Sequence, residues 1–325
     1  MNKYLRGLLI FVLVSVIALG AAARYGGIEP MLSASPTVAG FAPAQLQADA
    51  TPVKTARVQT IQFESKLAGK TLPYNVVLPV DYDKPAAKMK HFPVVYLLHG
   101  LTGHYTNWVE KTQLANYSAA YDFIIVTPEG NDGWYTDSAT VPSDKYESYI
   151  LQELIPDVEK RFRAGSKRED RAIAGLSMGG YGAIKFGLKH PEKFAFAASL
   201  SGAFGVASWT EQDLKDPGAI RDSIMQTFGP ANSETRTAND VLKLAREAKP
   251  ELLPFLFIDC GTEDFLFNDN RQFVNLLLER KIQHEYRQLP GSHSWQFWDS
   301  QVQEVLRVAA KKLVQPAATM KSATP

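Results

Sequence analysis

The chain has 325 residues, of which 45% are hydrophobic and 21% charged, and this balance excludes a disordered protein and a polytopic membrane protein. Its 35 Lys and Arg against 34 Asp and Glu leave a formal charge of +1, so no basic excess is present to hold nucleic acid. One cysteine, Cys260, excludes an intrachain disulfide and a cysteine-built zinc site.

At the N-terminus Lys3 and Arg6 precede an apolar run from Leu8 to Gly20, followed by Ala21, Ala22, Ala23 and Arg24. This is the pattern of a secretory signal peptide, predicted over residues 1–23. The alternative is an uncleaved N-terminal anchor, since the uncharged stretch Gly7–Ala23 has 17 residues, at the short limit for a span. Both readings put the rest of the chain outside the cytoplasm, because the basic residues flank the inner side. The protein is thus expected to be exported, periplasmic or secreted, or else anchored with the bulk of the chain outside the cytoplasm. Residues 24–52, rich in Ala and Pro, read as a linker, 53–315 as one folded domain and 316–325 as a disordered tail.

Strand-like and helix-like runs then alternate. Val58–Phe63 and Tyr74–Leu78 predict two strands forming a hairpin at a sheet edge. Val94–Leu98 is a continuous apolar run, as expected of a strand covered on both faces. Similar runs follow at Phe123–Val126, Arg171–Ala174, Phe194–Leu200 and Phe255–Ile258, with a weaker one at Glu285–Leu289. Helices are predicted between them at Leu114–Tyr121, Tyr146–Phe162, Tyr181–Lys189, Ala238–Ala248, Asn270–Arg280 and Trp295–Val314. Gly202–Asn239 is long for a connection and predicts a short cap segment. The alternation predicts an α/β fold: a mostly parallel central sheet of about eight strands with helices on both faces. Ligands of such sheets bind outside the carboxyl ends of the strands, so the loops after strands carry the chemistry.

The loop after Arg171–Ala174 reads Gly175-Leu176-Ser177-Met178-Gly179 and runs into a helix. G-x-S-x-G at a strand-to-helix turn is the nucleophile elbow. A serine hydroxyl needs an adjacent base, and in this fold the acid follows the serine and the histidine comes last. Asp259, Glu263, Asp264 and Asp269 are the candidate acids after Phe255–Ile258. Asp259 belongs to the strand end and Asp269 to the next helix, whereas Asp264 lies on the loop, with Glu263 expected to face solvent. Of the six histidines only His284 and His293 follow the acid. His284 precedes the last strand, at the wrong edge; His293 follows that strand and is the expected base.

An oxyanion hole in this fold uses two backbone N–H groups. One is assigned to Met178, after the serine. The other is assigned to Leu101, in the loop His99-Gly100-Leu101-Thr102-Gly103. His99 is expected to hold that loop, and His104 is a weaker candidate near the site. Trp134, Tyr135 and Trp295 are the expected substrate-binding aromatics, with Trp209 and Trp298 also near strand ends. Cys260 is expected to pack.

Taken together, Tyr96–Gly100, Gly130–Tyr135, Tyr149-Ile150 with Glu153–Pro156, Gly175–Tyr181, Gly261 with Asp264, and Gly291–Trp295 resemble the esterase D-like branch of the α/β-hydrolases. That branch includes S-formylglutathione hydrolases, tributyrin-type and feruloyl esterases, and mycolyltransferases. The resemblance spans roughly 200 residues in order. It implies Ser177 as nucleophile, His293 as base and Asp264 as its orienting acid, in an exported serine carboxylesterase working through an acyl-enzyme. The export pattern departs from S-formylglutathione hydrolases and is nearer to secreted or periplasmic carboxylesterases. No metal or organic cofactor is implied, and the partner is a small ester with a short acyl, aryl or sugar-linked group. The alternatives are an acyltransferase of mycolyltransferase type, using an alcohol or sugar acceptor, and a non-catalytic binding protein on the same fold.

Overall fold

The computed structural model describes residues 55–313, apart from 210–213 and 215–217. Its strands are β1 (Arg57–Ile61), β2 (Glu64–Ser65), β3 (Lys70–Thr71), β4 (Tyr74–Leu78), β5 (Val94–Leu98), β6 (Ile124–Pro128), β7 (Arg171–Leu176), β8 (Phe196–Leu200), β9 (Phe255–Gly261) and β10 (His284–Leu289). Eight of them form one sheet in the order β1-β4-β6-β5-β7-β8-β9-β10. The pairs β1–β4 and β4–β6 are antiparallel, and every later pair is parallel. The predicted edge hairpin is therefore present, with the small β2–β3 ribbon inserted at its turn. The predicted leader (1–23), linker (24–52) and tail (316–325) lie outside the described residues.

Burial explains which runs were legible. β4 to β8 are buried along their whole length, which is what an unbroken apolar run encodes. Along β5 the side chains alternate between two cores: Val94, Tyr96 and Leu98 face one, Val95 and Leu97 the other. The weak run at Glu285–Leu289 belongs to β10, an edge strand, whose residues are half-buried from His284 to Arg287 and exposed at Gln288 and Leu289.

Helices cover both faces. On one lie α1 (Asn107–Lys111), α2 (Leu114–Ser118) and α10 (Trp295–Lys312), whose Val302, Val305 and Leu306 are fully buried. On the other lie α3 (Tyr146–Tyr149), α4 (Ile155–Arg161), α5 (Met178–Lys189), α6 (Ala219–Phe228), α7 (Glu234–Asn239), α8 (Val241–Glu247) and α9 (Phe267–Glu279), which contribute Tyr149, Ile184, Phe228, Val241 and Phe273 to the other core.

Two helical expectations need correction. The run Tyr146–Phe162 is continuous only through a π turn at Ile150–Leu154, which joins α3 to α4 just before Pro156. Proline has no N–H to donate and its ring crowds the preceding turn, so the helix widens there. The run Ala238–Ala248 is split, because Asp240 caps a new helix: its carboxylate accepts the Leu242 and Lys243 N–H groups at 2.9 and 3.3 Å. In the expected cap segment, α6 packs Phe228 against Trp134 and Tyr181, with ring centroids 6.1 and 6.0 Å apart.

Candidate active site

The six parallel strands present their carboxyl ends along one edge, and the loops after β5, β7, β9 and β10 meet there. Ser177 follows β7 directly with φ 53° and ψ −115°, a backbone conformation that a non-glycine residue adopts only when its surroundings enforce it. They do so here: its N–H donates to Leu200 O at 2.9 Å, and its carbonyl accepts from Tyr181 N at 2.9 Å. The flanking glycines are sterically required. A Cβ on Gly175 would stand 2.4 Å from the Gly179 carbonyl, and one on Gly179 would stand 2.5 Å from the His99 carbonyl oxygen. The turn thus projects Ser177 above the sheet at the N-terminus of α5.

His293, on the loop from β10 to α10, places Nε2 3.0 Å from Ser177 Oγ. Its Nδ1 lies 2.9 and 3.1 Å from the two oxygens of Asp264. The Asp264 side chain is fully buried, whereas His293 keeps partial access to solvent. Burial would raise the Asp264 carboxyl, but hydrogen bonds from His293 and from the Leu266 N–H hold it below the usual carboxylate range. The His293 ring lies between Phe265 (centroids 4.6 Å apart) and Trp298 (4.8 Å, edge-on), and Trp298 Nε1 donates to Ser201 Oγ at 3.1 Å. The loops bearing acid and base are also tied to each other: Thr262 N–H donates to Leu289 O, Glu263 N–H donates to Gly291 O, and the Glu263 carboxylate accepts the Gly291 N–H.

The remaining acids lie elsewhere. Asp259 is fully buried at the end of β9, where neither carboxylate oxygen has a hydrogen-bond partner among the described residues. Burial pushes it up to about 7, against the opposing charge of Arg287. Asp269 stands in the first turn of α9, and His284 opens β10 with Nδ1 bonded to Ile282 O. The Cys260 thiol is buried, and burial pushes its ionisation up.

Leu101 and Met178 border the serine. Met178 is the first residue of α5, where a helix leaves its N–H groups unpaired. Neither N–H donates to protein among the described residues. The Leu101 peptide is held from behind, because the carbonyl of its Gly100 half accepts from His99 Nδ1 at 2.8 Å and from Gly103 N at 3.0 Å. Thr102, at φ 58°, donates its N–H to Asp132 at 2.6 Å. His99 Nε2 accepts from Gly130 N at 3.0 Å and stands 3.2 Å from the Glu129 carboxylate. Burial would raise the Glu129 carboxyl, yet the N–H groups of Gly130, Asn131 and Tyr105 donate to it and hold it below the usual carboxylate range. His104 is exposed, and its Nδ1 stands 3.3 Å from Glu129. Sequence reasoning assigned neither Glu129 nor Asp132 a role: Asp132 lies within the segment Gly130–Tyr135 that carries the family resemblance, and the one signal for Glu129 is its place directly after a strand.

A cavity of about 260 Å³ opens beside Ser177, lined by Gly100–Gly103, Asn107, Lys111, Leu176, His293–Trp295 and Trp298. Of the three aromatics expected to bind substrate, Trp295 lines this cavity. Trp134 and Tyr135 do not, and that expectation is corrected: both are buried in the core. Trp134 donates Nε1–H to Ser223 Oγ at 3.1 Å and packs edge-on against Tyr181. Tyr135 donates its hydroxyl to the His99 carbonyl at 3.1 Å, while its own carbonyl accepts from the buried Lys185, which is paired with Glu147 at 2.8 Å. Tyr135 thereby braces the loop behind Leu101. Among the described residues no three His, Cys, Asp or Glu side chains converge so as to hold a metal ion.

The Esterase family model matches residues 65–308. An acetyl esterase of Caldicellulosiruptor saccharolyticus is 30% identical over 255 residues, covering 75% of this chain and 95% of that protein. The fluorophosphonate-binding serine hydrolase F of Staphylococcus aureus superposes with a TM-score of 0.70 at 29% identity, over 79% of this chain and 99% of that one. A ferulic acid esterase superposes with a TM-score of 0.67 at 27% identity, again over 79% and 99%. With its eight-stranded, mostly parallel sheet and a match over three quarters of its length, the chain belongs to the Esterase family on the α/β-hydrolase fold and is a serine hydrolase that cleaves ester bonds.

Proposed function

We propose that Ser177, His293 and Asp264 form the catalytic triad of an exported carboxylesterase working through an acyl-enzyme. The observation that carries this reading is the unbroken hydrogen-bond chain from Ser177 Oγ through both ring nitrogens of His293 to Asp264. A carboxylate at Nδ1 fixes the tautomer with hydrogen there, leaving the Nε2 lone pair to receive the serine proton. Ser177 Oγ then attacks the ester carbonyl, and the Leu101 and Met178 N–H groups stabilise the oxyanion. His293 returns the proton to the departing alcohol, after which water, deprotonated by His293, releases the acid and frees Ser177.

The cavity suits a short acyl group, in keeping with the acetyl esterase relative. Export rests on residues 1–23, with Lys3 and Arg6 ahead of the apolar run. An acyl-enzyme is tested by stopped-flow mixing with p-nitrophenyl acetate. A burst of nitrophenol stoichiometric with enzyme supports it when deacylation is slow, and Ser177→Ala should remove both burst and turnover. N-terminal sequencing of the expressed full-length protein should give a mature form starting near Arg24 outside the cytoplasm; Met1 on a soluble cytoplasmic protein would contradict export.

A further inference from the structure

The cavity beside Ser177 is uneven in charge. Apart from His293, the one ionisable side chain among its described lining residues is Lys111, at the C-terminus of α1. The Lys111 ammonium stands 5.1 Å from the centroid of the Trp295 ring. No carboxylate among the described residues pairs with it. Trp295 is in turn held edge-on by Trp108 (5.6 Å) and Trp298 (5.3 Å), and Trp108 is fully buried with Nε1 bonded to Leu98 O at the end of β5. Lys111 is exposed, but an ammonium over an aromatic face is attracted to it, and the ring lowers the screening on that side.

We propose that Lys111 is a specificity-determining residue that selects esters carrying an anionic group, such as a carboxylate, close to the scissile bond. The proposal rests on the reading of Ser177 as nucleophile. A cation at the cavity wall gains nothing from a neutral alkyl ester, whereas an anion on the acyl or alcohol side finds its counter-charge there. The effect is electrostatic and weakens with added salt.

The experiment compares kcat/KM for matched pairs. On the acyl side these are p-nitrophenyl hemisuccinate and p-nitrophenyl pentanoate; on the alcohol side, 4-carboxyphenyl acetate and 4-carbamoylphenyl acetate. Intrinsic reactivity cancels when the anionic-to-neutral ratio of each variant is divided by that of the unmodified enzyme. In at least one pair Lys111→Met should lower this ratio by about three- to fivefold, Lys111→Glu should lower it further, and Lys111→Arg should retain it. The unmodified enzyme's preference should also shrink between about 20 mM and about 500 mM NaCl, over which the Debye length contracts about fivefold. A ratio unchanged within about twofold by both Lys111→Met and Lys111→Glu in both pairs overturns the proposal. Neutral-ester turnover that survives in Ser177→Ala would instead overturn the reading of the site beneath it, and the proposal with it.

Discussion

The Glu263 carboxylate accepts the Gly291 N–H, so the residue next to Asp264 clasps the loop that carries His293. The side chain is exposed, as expected from sequence, yet it is not idle. A second oxygen accepts from Thr262 Oγ1 at 2.9 Å, and these contacts hold the Glu263 carboxyl below its usual range. Glu263→Gln keeps an acceptor for Gly291 and should leave kcat within about threefold, while Glu263→Ala releases the clasp and should lower kcat by about tenfold at unchanged KM, since misplacement of a catalytic group costs rate before binding. Equal and negligible effects in steady-state assays would show that the two loops hold their register without it.

Asp264→Asn keeps the shape of the acid but removes the charge and permits the wrong imidazole tautomer. By the measure of serine proteases kcat should fall by about 10⁴-fold. The acid is buried and bonded to the Leu266 N–H through Oδ1, a contact the amide oxygen of Asn can keep, so circular dichroism and cooperative unfolding should persist. If Asp264→Asn were mild and Glu263→Gln crippling, the acid would be the neighbouring residue.

The sequence disclosed the elements whose chemistry is local. G-x-S-x-G was legible because only glycines fit against the backbone on either side of Ser177, and the strand-to-loop order placed Asp264 and His293. What it did not disclose depends on direction and on distant contacts. Trp134 and Tyr135 sit in a loop at the right edge of the sheet, but at φ 52° and 50° the backbone turns both rings inward, and composition carries no sign of that. Glu129 was invisible for the opposite reason: its partners His99, Tyr105 and Asn131 come from two different loops. The split at Asp240 lay in plain view as a capping residue, masked by the apolar periodicity that runs through it.

Tyr135 yields a prediction from its corrected position. Tyr135→Phe removes the hydroxyl bond to the His99 carbonyl without opening a cavity. The loop behind Leu101 should loosen, lowering kcat by about three- to tenfold with KM little changed, as for an interaction expressed in the transition state. A rise in KM alone would return Tyr135 to substrate binding.

Asp259 makes stability depend on pH. Its folded value, about 7, lies above the ~4 of an aspartate in an unfolded chain, so the native state holds the proton more tightly. Stability from this group is therefore full below about pH 4, falls as pH rises toward 7 and stays reduced above. The window is worth on the order of 4 kcal/mol. Asp259→Asn does not ionise, so its melting temperature should exceed that of the unmodified protein at pH 8 by more than it does at pH 4.5. A difference independent of pH, measured by calorimetry, would mean that Asp259 finds a partner for its charge.

The most direct measurement of the central claim is intact-protein and peptide mass spectrometry after treatment with a fluorophosphonate. One adduct per chain is predicted, on the peptide carrying Ser177, with esterase activity lost in proportion. Ser177→Ala should melt as the unmodified protein does, take up no label and hydrolyse no ester. An active Ser177→Ala enzyme, or a stoichiometric adduct on another residue that abolishes activity, would contradict the assignment of Ser177 as the nucleophile.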